Sequence, residues 1–213
     1  MTSLDNEPRG KALIFAGPHG AGKDTLENTF RAAHPNTLRI VRHITRPMVP
    51  GEIDGQDYHF IDANNFREMA GQEAFIEYST YPDCMAGTSY RELADKLALA
   101  EYASMAANFE EGIALHRKLG TLGMSSVCLF ISPVAREVMV NDRDAYIAAL
   151  RARMLQRGRP DDRIDNKLAK ASLYRDMHLA SPHEAVYIDN SDGHLAEASE
   201  DISRLAVSLT VQN

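Results

Sequence analysis

Residues 12–16, Ala-Leu-Ile-Phe-Ala, carry no polar side chain and run directly into Gly17-Pro-His-Gly-Ala-Gly-Lys-Asp-Thr25. An apolar strand, a glycine-rich turn and a lysine opening a helix is an arrangement that cradles phosphates. Only a backbone free of Cβ crowding turns its N–H groups inward around an oxyanion, so Gly17, Gly20 and Gly22 matter more than His19 and Ala21 between them. The helix that follows presents its positive dipole end to the same anion, and Lys23 adds a point charge. The competing reading is a turn that merely joins a strand to a helix. Strand, glycines, lysine and helix in this order favour the cradle.

One position departs from the usual pattern. After Gly-Lys a Ser or Thr hydroxyl normally ligates Mg²⁺; here Asp24 stands there and Thr25 follows. A carboxylate is also a hard oxygen ligand, so Asp24 and Thr25 are the candidate metal ligands. Asp24 in a first helical turn also favours the helix dipole without any metal.

The 213 residues suit one domain, residues 1–213, with ordinary hydrophobic (44%) and charged (25%) fractions. A net charge of −7 disfavours a nucleic-acid partner. Cys84 and Cys128 have no metal spacing, and no apolar run approaches membrane length. The chain reads as cytoplasmic, with no membrane partner. Its oligomeric state is not legible.

Strand patterns at residues 12–16, 38–42, 74–78, 126–131 and 186–188 alternate with helical ones at 24–34, 64–70, 90–100, 144–156, 164–179 and 195–209. Residues 102–107 read either as a weak buried strand or as part of a helix reaching 119. The pattern predicts an α/β fold with a parallel sheet wrapped by helices. Its core spans 10–41 and 90–213, and a small antiparallel excursion over 42–89 interrupts it.

Two further clusters carry chemistry. His43-Ile-Thr-Arg-Pro47, the segment 51–60 ending Asp-Tyr-His-Phe, Phe75-Ile-Glu77 and Gly87-Thr-Ser89 supply a guanidinium (Arg46), hydroxyls (Tyr58, Thr88) and a carboxylate (Glu77). That set suits an anionic ligand bearing a phosphate and a hydrogen-bonding base. Taken singly, Arg46 and Glu77 read more readily as surface charges and Tyr58 as a core-edge aromatic. The second cluster, arginines 151, 153, 157, 159 and 163 with Lys167, straddles a helix end and a polar turn at 157–163. It reads as a short lid that brings charge to a moving phosphoryl group, or else as a solvated basic helix end.

Together these motifs resemble the guanylate kinase family over nearly the whole chain. The resemblance implies ATP and Mg²⁺ as cofactors and a phosphate-bearing acceptor, GMP or a sugar phosphate. Arg46 and Tyr58 would hold the acceptor phosphate, Glu77 would face a guanine edge, and Thr88 would lie beside the base. Arg153 and Arg157 fall on the lid motif. Asn190 falls on the segment near the adenine. Lys23, Arg46, Arg153 and Arg157 would carry catalysis. The departures concentrate on the acceptor: a second phosphate-holding arginine falls on Val49, paired tyrosines fall on Met85 and Ala86, and a lid arginine falls on Lys167. The family's aspartates after the third strand have no clear counterpart, Asn108 being nearest. Arg42 and His59 are the candidate substitutes for the lost acceptor contacts. Ribose 1,5-bisphosphate phosphokinases resemble this chain at Gly-Lys-Asp-Thr25 and Arg42-His-Ile-Thr-Arg-Pro47. Guanylate-kinase-like domains that only bind partners form a third alternative. Glu77 decides for GMP on the argument that a buried carboxylate needs a base's N–H donors.

Overall fold

Strand β1 (Lys11–Ala16) lies at the centre of a five-stranded sheet ordered β2-β7-β1-β8-β9 in this computed structural model, which describes residues 10–158 and 164–209. Its neighbours are β7 (Tyr102–Ala107) and β8 (Ser126–Ser132), flanked in turn by β2 (Thr37–Arg39) and β9 (Val186–Asp189). Every pairing in this sheet is parallel. β1 is buried along its whole length, as a strand covered by helices on both faces must be. Its alternation divides the core: Leu13 and Phe15 join one apolar cluster, while Ala12, Ile14 and Ala16 join the other.

The helices seal these faces. In α1 (Lys23–Ala33), Leu26 and Phe30 stand one turn apart and are fully buried, the spacing that points both inward. In α6 (Arg143–Gln156), Tyr146, Leu150 and Met154 repeat that interval. With α7 (Ile164–Ala180) and α8 (Leu195–Ser208) they cover the Leu13 face. The opposite face takes α3 (Tyr90–Leu99) and α4 (Phe109–Thr121). Ser89, Asn108 and Asp142 accept from backbone N–H groups of α3, α4 and α6, which sets where each helix starts.

A four-stranded sheet forms the excursion, in the order β4-β3-β6-β5, from β3 (His43–Ile44), β4 (His59–Phe60), β5 (Phe75–Thr80) and β6 (Met85–Ser89), with α2 (Ala63–Gly71) beside it. It is mixed rather than purely antiparallel: β3 pairs in parallel with β4 and antiparallel with β6. Residues 51–60 carry the chain back alongside the strand it left, so a turn-rich stretch becomes a crossover. The ambiguity at 102–107 resolves to strand β7, because its small residues fit between β1 and β2. The strand expected at 38–42 stops at Arg39, and the chain then turns toward the excursion. A short helix, α5 (Arg136–Asn141), has no counterpart in the sequence reading. Of the expected lid, residues 157–158 form a turn and 159–163 lie outside the described residues. Among the described residues no helix is long and apolar enough to cross a membrane.

Candidate functional site

The glycine-rich loop leaves the carboxyl end of β1, where parallel sheets place their ligands. Gly17, Gly20 and Gly22 all have positive φ. At Gly22 the requirement is double: φ is +94°, and a Cβ would lie 2.2 Å from the Asn190 side-chain nitrogen. Asn190, buried just after β9, donates Nδ2–H to the Ala21 carbonyl at 2.7 Å. It therefore braces the loop from behind as well as lining the adjoining cavity. Gly22 caps α1 with no side-chain hydrogen bond, which leaves that first turn to the loop and to whatever it holds. Lys23 folds back and donates to the Pro18 carbonyl at 2.8 Å.

Two cavities adjoin this loop and share no lining residue. One, of about 270 Å³, is lined by Gly20, Gly22, Thr25, Arg153, Arg157 and Asn190. Arg153 donates to the Asn190 carbonyl and to Asp192, both at 2.7 Å, which ties α6 to the segment after β9. The other, of about 330 Å³, is lined by His19, Lys23, Asp24, Arg42, Tyr58, Tyr81, Asn108 and Glu111 among others. Asp24 and Thr25, read together as metal ligands, thus line different cavities.

The second cavity differs most from expectation. Arg42, from the segment after β2, lies between two carboxylates: Nη1 donates to Glu111 at 2.8 Å and Nη2 to Glu77 at 3.1 Å. Burial works against its charge, but Glu111 and Glu77 outweigh that and raise its pKa. Glu77 and Thr88 are register partners across β5 and β6, so their side chains share one face. Thr88, fully buried, donates to Glu77 at 2.6 Å. Burial pushes the Glu77 carboxyl up, against the pull of Arg42 and of the Thr88 hydroxyl. Both carboxylate oxygens of Glu77 thus have donors from the chain itself. Burial alone therefore does not leave Glu77 unpaired, since Arg42 and Thr88 each supply a donor. Neither Glu77 nor Thr88 lines the cavity.

Arg46 does not line it either. Its guanidinium forms a two-pronged pair with Glu52, with Nη1 at 2.7 Å, and lies over the rings of Tyr58 and Phe60. That hydrogen bonding holds the Glu52 carboxyl down at about 2. Tyr58 reaches the cavity, and burial raises its phenol. His59 pairs instead with Glu92 at 3.2 Å, outside the cavity.

Tyr81 and Glu111 escaped the sequence reading. Tyr81, in the turn joining β5 to β6, donates to Glu111 and accepts from the Asn108 amide at 3.0 Å. It brings a phenol to a cavity whose wall has Ala86 where the tyrosine was missed. Asn108 caps α4 through the Glu111 N–H at 2.9 Å, so the first turn of α4 delivers the carboxylate that the strand end lacks. The Asn-x-x-Glu spacing at a helix start was the available signal. Val49 is 49% exposed and contributes nothing to the cavity.

The chain is similar to known proteins in sequence and in fold. The guanylate kinase family model matches residues 9–153. A guanylate kinase of Methylococcus capsulatus is 33% identical over 131 residues, 62% of each chain. One of Gloeobacter violaceus is 27% identical over 199 residues, covering 93% of this chain and 87% of that protein. The crystal structure of guanylate kinase from Anaplasma phagocytophilum superposes with a TM-score of 0.64 at 18% identity, over 96% of this chain and 88% of the other. A central parallel sheet, a phosphate-loop sequence at the end of β1 and a family match over residues 9–153 lead to one statement: this chain belongs to the guanylate kinase family, within the P-loop nucleoside monophosphate kinases.

Proposed function

We propose that the chain is a phosphotransferase that moves the γ-phosphoryl of ATP to the phosphate of GMP. The observation that carries the proposal is the pair of cavities meeting at one glycine-rich loop, with Lys23 and Asp24 on one side and Thr25, Arg153 and Arg157 on the other. Direct transfer between two bound phosphates needs such an arrangement. An acceptor phosphate is already anionic and nucleophilic, so no general base is required. Lys23 and the loop N–H groups hold the β- and γ-phosphates, and Arg153 and Arg157 offset charge on the moving group. The residues present fit a nucleotide: the loop turns at three positive-φ glycines onto an uncapped helix start. Asp24 and Thr25 line different cavities, so a Mg²⁺ would take a hard oxygen ligand from one or the other and its remaining ligands from phosphate and water. When bound, the ion supplies charge neutralisation.

GMP is favoured by Glu111. Guanine presents adjacent N–H donors, and a carboxylate has roughly four acceptor sites. Glu111 spends two on Arg42 and Tyr81 and faces the cavity with the rest. Residues 42–89 are then the acceptor-binding unit, and Arg46 must leave Glu52 to reach the acceptor phosphate. A second reading, ribose 1,5-bisphosphate as acceptor, draws on Arg42 and Thr88, which already supply one donor to each oxygen of Glu77. A coupled assay of ADP release with GMP, AMP, dTMP and ribose 1,5-bisphosphate tests both. Turnover with GMP is expected; turnover with the sugar bisphosphate and none with GMP replaces the first reading with the second.

A further inference from the structure

A third cavity, of about 330 Å³, shares no lining residue with the two beside the glycine loop. It lies where the parallel sheet meets the excursion. Arg31 in the last turn of α1, Leu38 and Arg39 of β2, and Lys96 of α3 form one side, and the turn 55–57 forms the other. Three of these side chains are cations, and they come from three separate elements. The carboxylate in the wall, Asp57, is turned onto its own loop, accepting from the Ile53 N–H at 2.8 Å.

These cations are matched loosely. Arg39 approaches Glu27 only through Nε at 3.9 Å, and Lys96 approaches Glu92 at 3.6 Å, both beyond hydrogen-bond length. The carboxylates concerned have other donors: Glu27 takes the Ser104 hydroxyl at 2.9 Å, while Glu92 takes the Val41 N–H at 2.9 Å and faces His59. Arg31 Nε is buried with no hydrogen-bond partner, as is Arg42 Nε, but the Arg42 guanidinium holds two carboxylates through its other nitrogens. The contrast with Arg42, Arg46 and Arg153 is direct, since each of those holds at least one carboxylate within hydrogen-bond length. A buried N–H without an acceptor is costly, and like charges around one cavity repel. A ligand that is both anionic and rich in acceptor oxygens relieves both penalties. Two guanidinium forks and an ammonium are the side chains that recognise phosphate.

We infer that this cavity binds a small phosphate-bearing anion, at a site separate from the glycine loop. The site spans core and excursion, so its occupant touches both Arg39 and the turn 55–57. The inference does not depend on the identity of the acceptor.

Titration with inorganic phosphate, followed through backbone amide chemical shifts, tests it. The amides of Leu38, Gly55 and Gln56 should shift saturably, with a binding curve distinct from that of Gly20 and Gly22. Arg31→Ala or Arg39→Ala should weaken the first curve at least tenfold and leave the second unchanged. Lys96→Gln, a milder change at a half-buried position of α3, should weaken it severalfold and guards against loss of folding in the arginine variants. Parallel titrations with GMP and ribose 5-phosphate separate the sources: tighter binding than phosphate assigns the site to a phosphorylated metabolite, and equal binding assigns it to phosphate itself. The proposal is overturned if Gly55 and Gln56 stay still while Gly20 and Gly22 saturate. It is equally overturned if chloride at matched ionic strength reproduces the shifts, or if Arg31→Ala leaves the affinity intact.

Discussion

Arg42 and Glu77 meet at 3.1 Å, with Arg42 reaching on to Glu111 at 2.8 Å, so one cation holds together the segment between β2 and β3, strand β5 and the start of α4. The side chains of all three are about nine-tenths buried or more. Removing the cation leaves two buried carboxylates without a counter-charge, and breaking such a pair costs about 3–5 kcal/mol. Arg42→Met should therefore lower the urea midpoint sharply. Adding Glu77→Gln should recover part of that loss. Strict additivity of the two changes would show that the pair is not coupled.

Asn190 offers a separate handle on the donor side. Asn190→Ala removes the Nδ2 donor to the Ala21 carbonyl, which should cost about 1–3 kcal/mol. It should raise the KM for ATP more than that for the acceptor, because the brace lies behind the glycine loop. Equal effects on both substrates would contradict this. Gly22→Ala meets both strained φ and the Asn190 amide and should abolish nucleotide binding by calorimetry.

Lys23→Ala is expected to eliminate turnover while leaving the circular dichroism spectrum and melting temperature close to wild type. Its ammonium donates to the Pro18 carbonyl of its own loop and lines a cavity rather than the apolar core. Full activity in this variant would remove the kinase assignment.

The Arg46–Glu52 pair should compete with the acceptor phosphate. Glu52→Gln keeps an acceptor for the Val49 N–H but loses the charge. Exposed pairs are worth about 0.2–1 kcal/mol, so the acceptor KM should fall up to roughly fivefold with kcat unchanged. The wild-type pair persists down to a pH near 2, where Glu52 protonates. An increased KM would mean that Glu52 shapes the turn rather than restraining Arg46.

His178 predicts acid sensitivity away from the site. It stacks on Phe130 at 4.4 Å with neither ring nitrogen partnered, and burial, then Arg136, lowers its pKa from 6.5 to about 4. The unfolded chain takes up that proton first as pH falls, so stability declines from about pH 6.5 to about pH 4. His178→Phe should flatten the melting temperature over that interval. An unchanged slope would assign the acid sensitivity to other groups.

What the residues alone determined is local. The apolar run at β1, the positive-φ glycines, Lys23 and the Leu26–Phe30 interval each follow from short-range sterics and periodicity, and the fold class follows from their alternation. Features whose partners are distant in sequence were not legible from the residues. Strand β7 was ambiguous because small residues acquire strand character only between β1 and β2. Residues 51–60 looked like a loop because the parallel pairing of His43 with His59 is a tertiary event. The acceptor cavity was least legible. That Glu77 is buried could be supposed from its position, but that Arg42 would satisfy it could not, since they lie 35 residues apart. The same holds for Tyr81 reaching Glu111 across 30 residues. Charge on a side chain is written in its residue type, whereas which opposite charge it meets depends on how the elements pack, and that packing decided which cations in this chain are already held and which remain loosely matched.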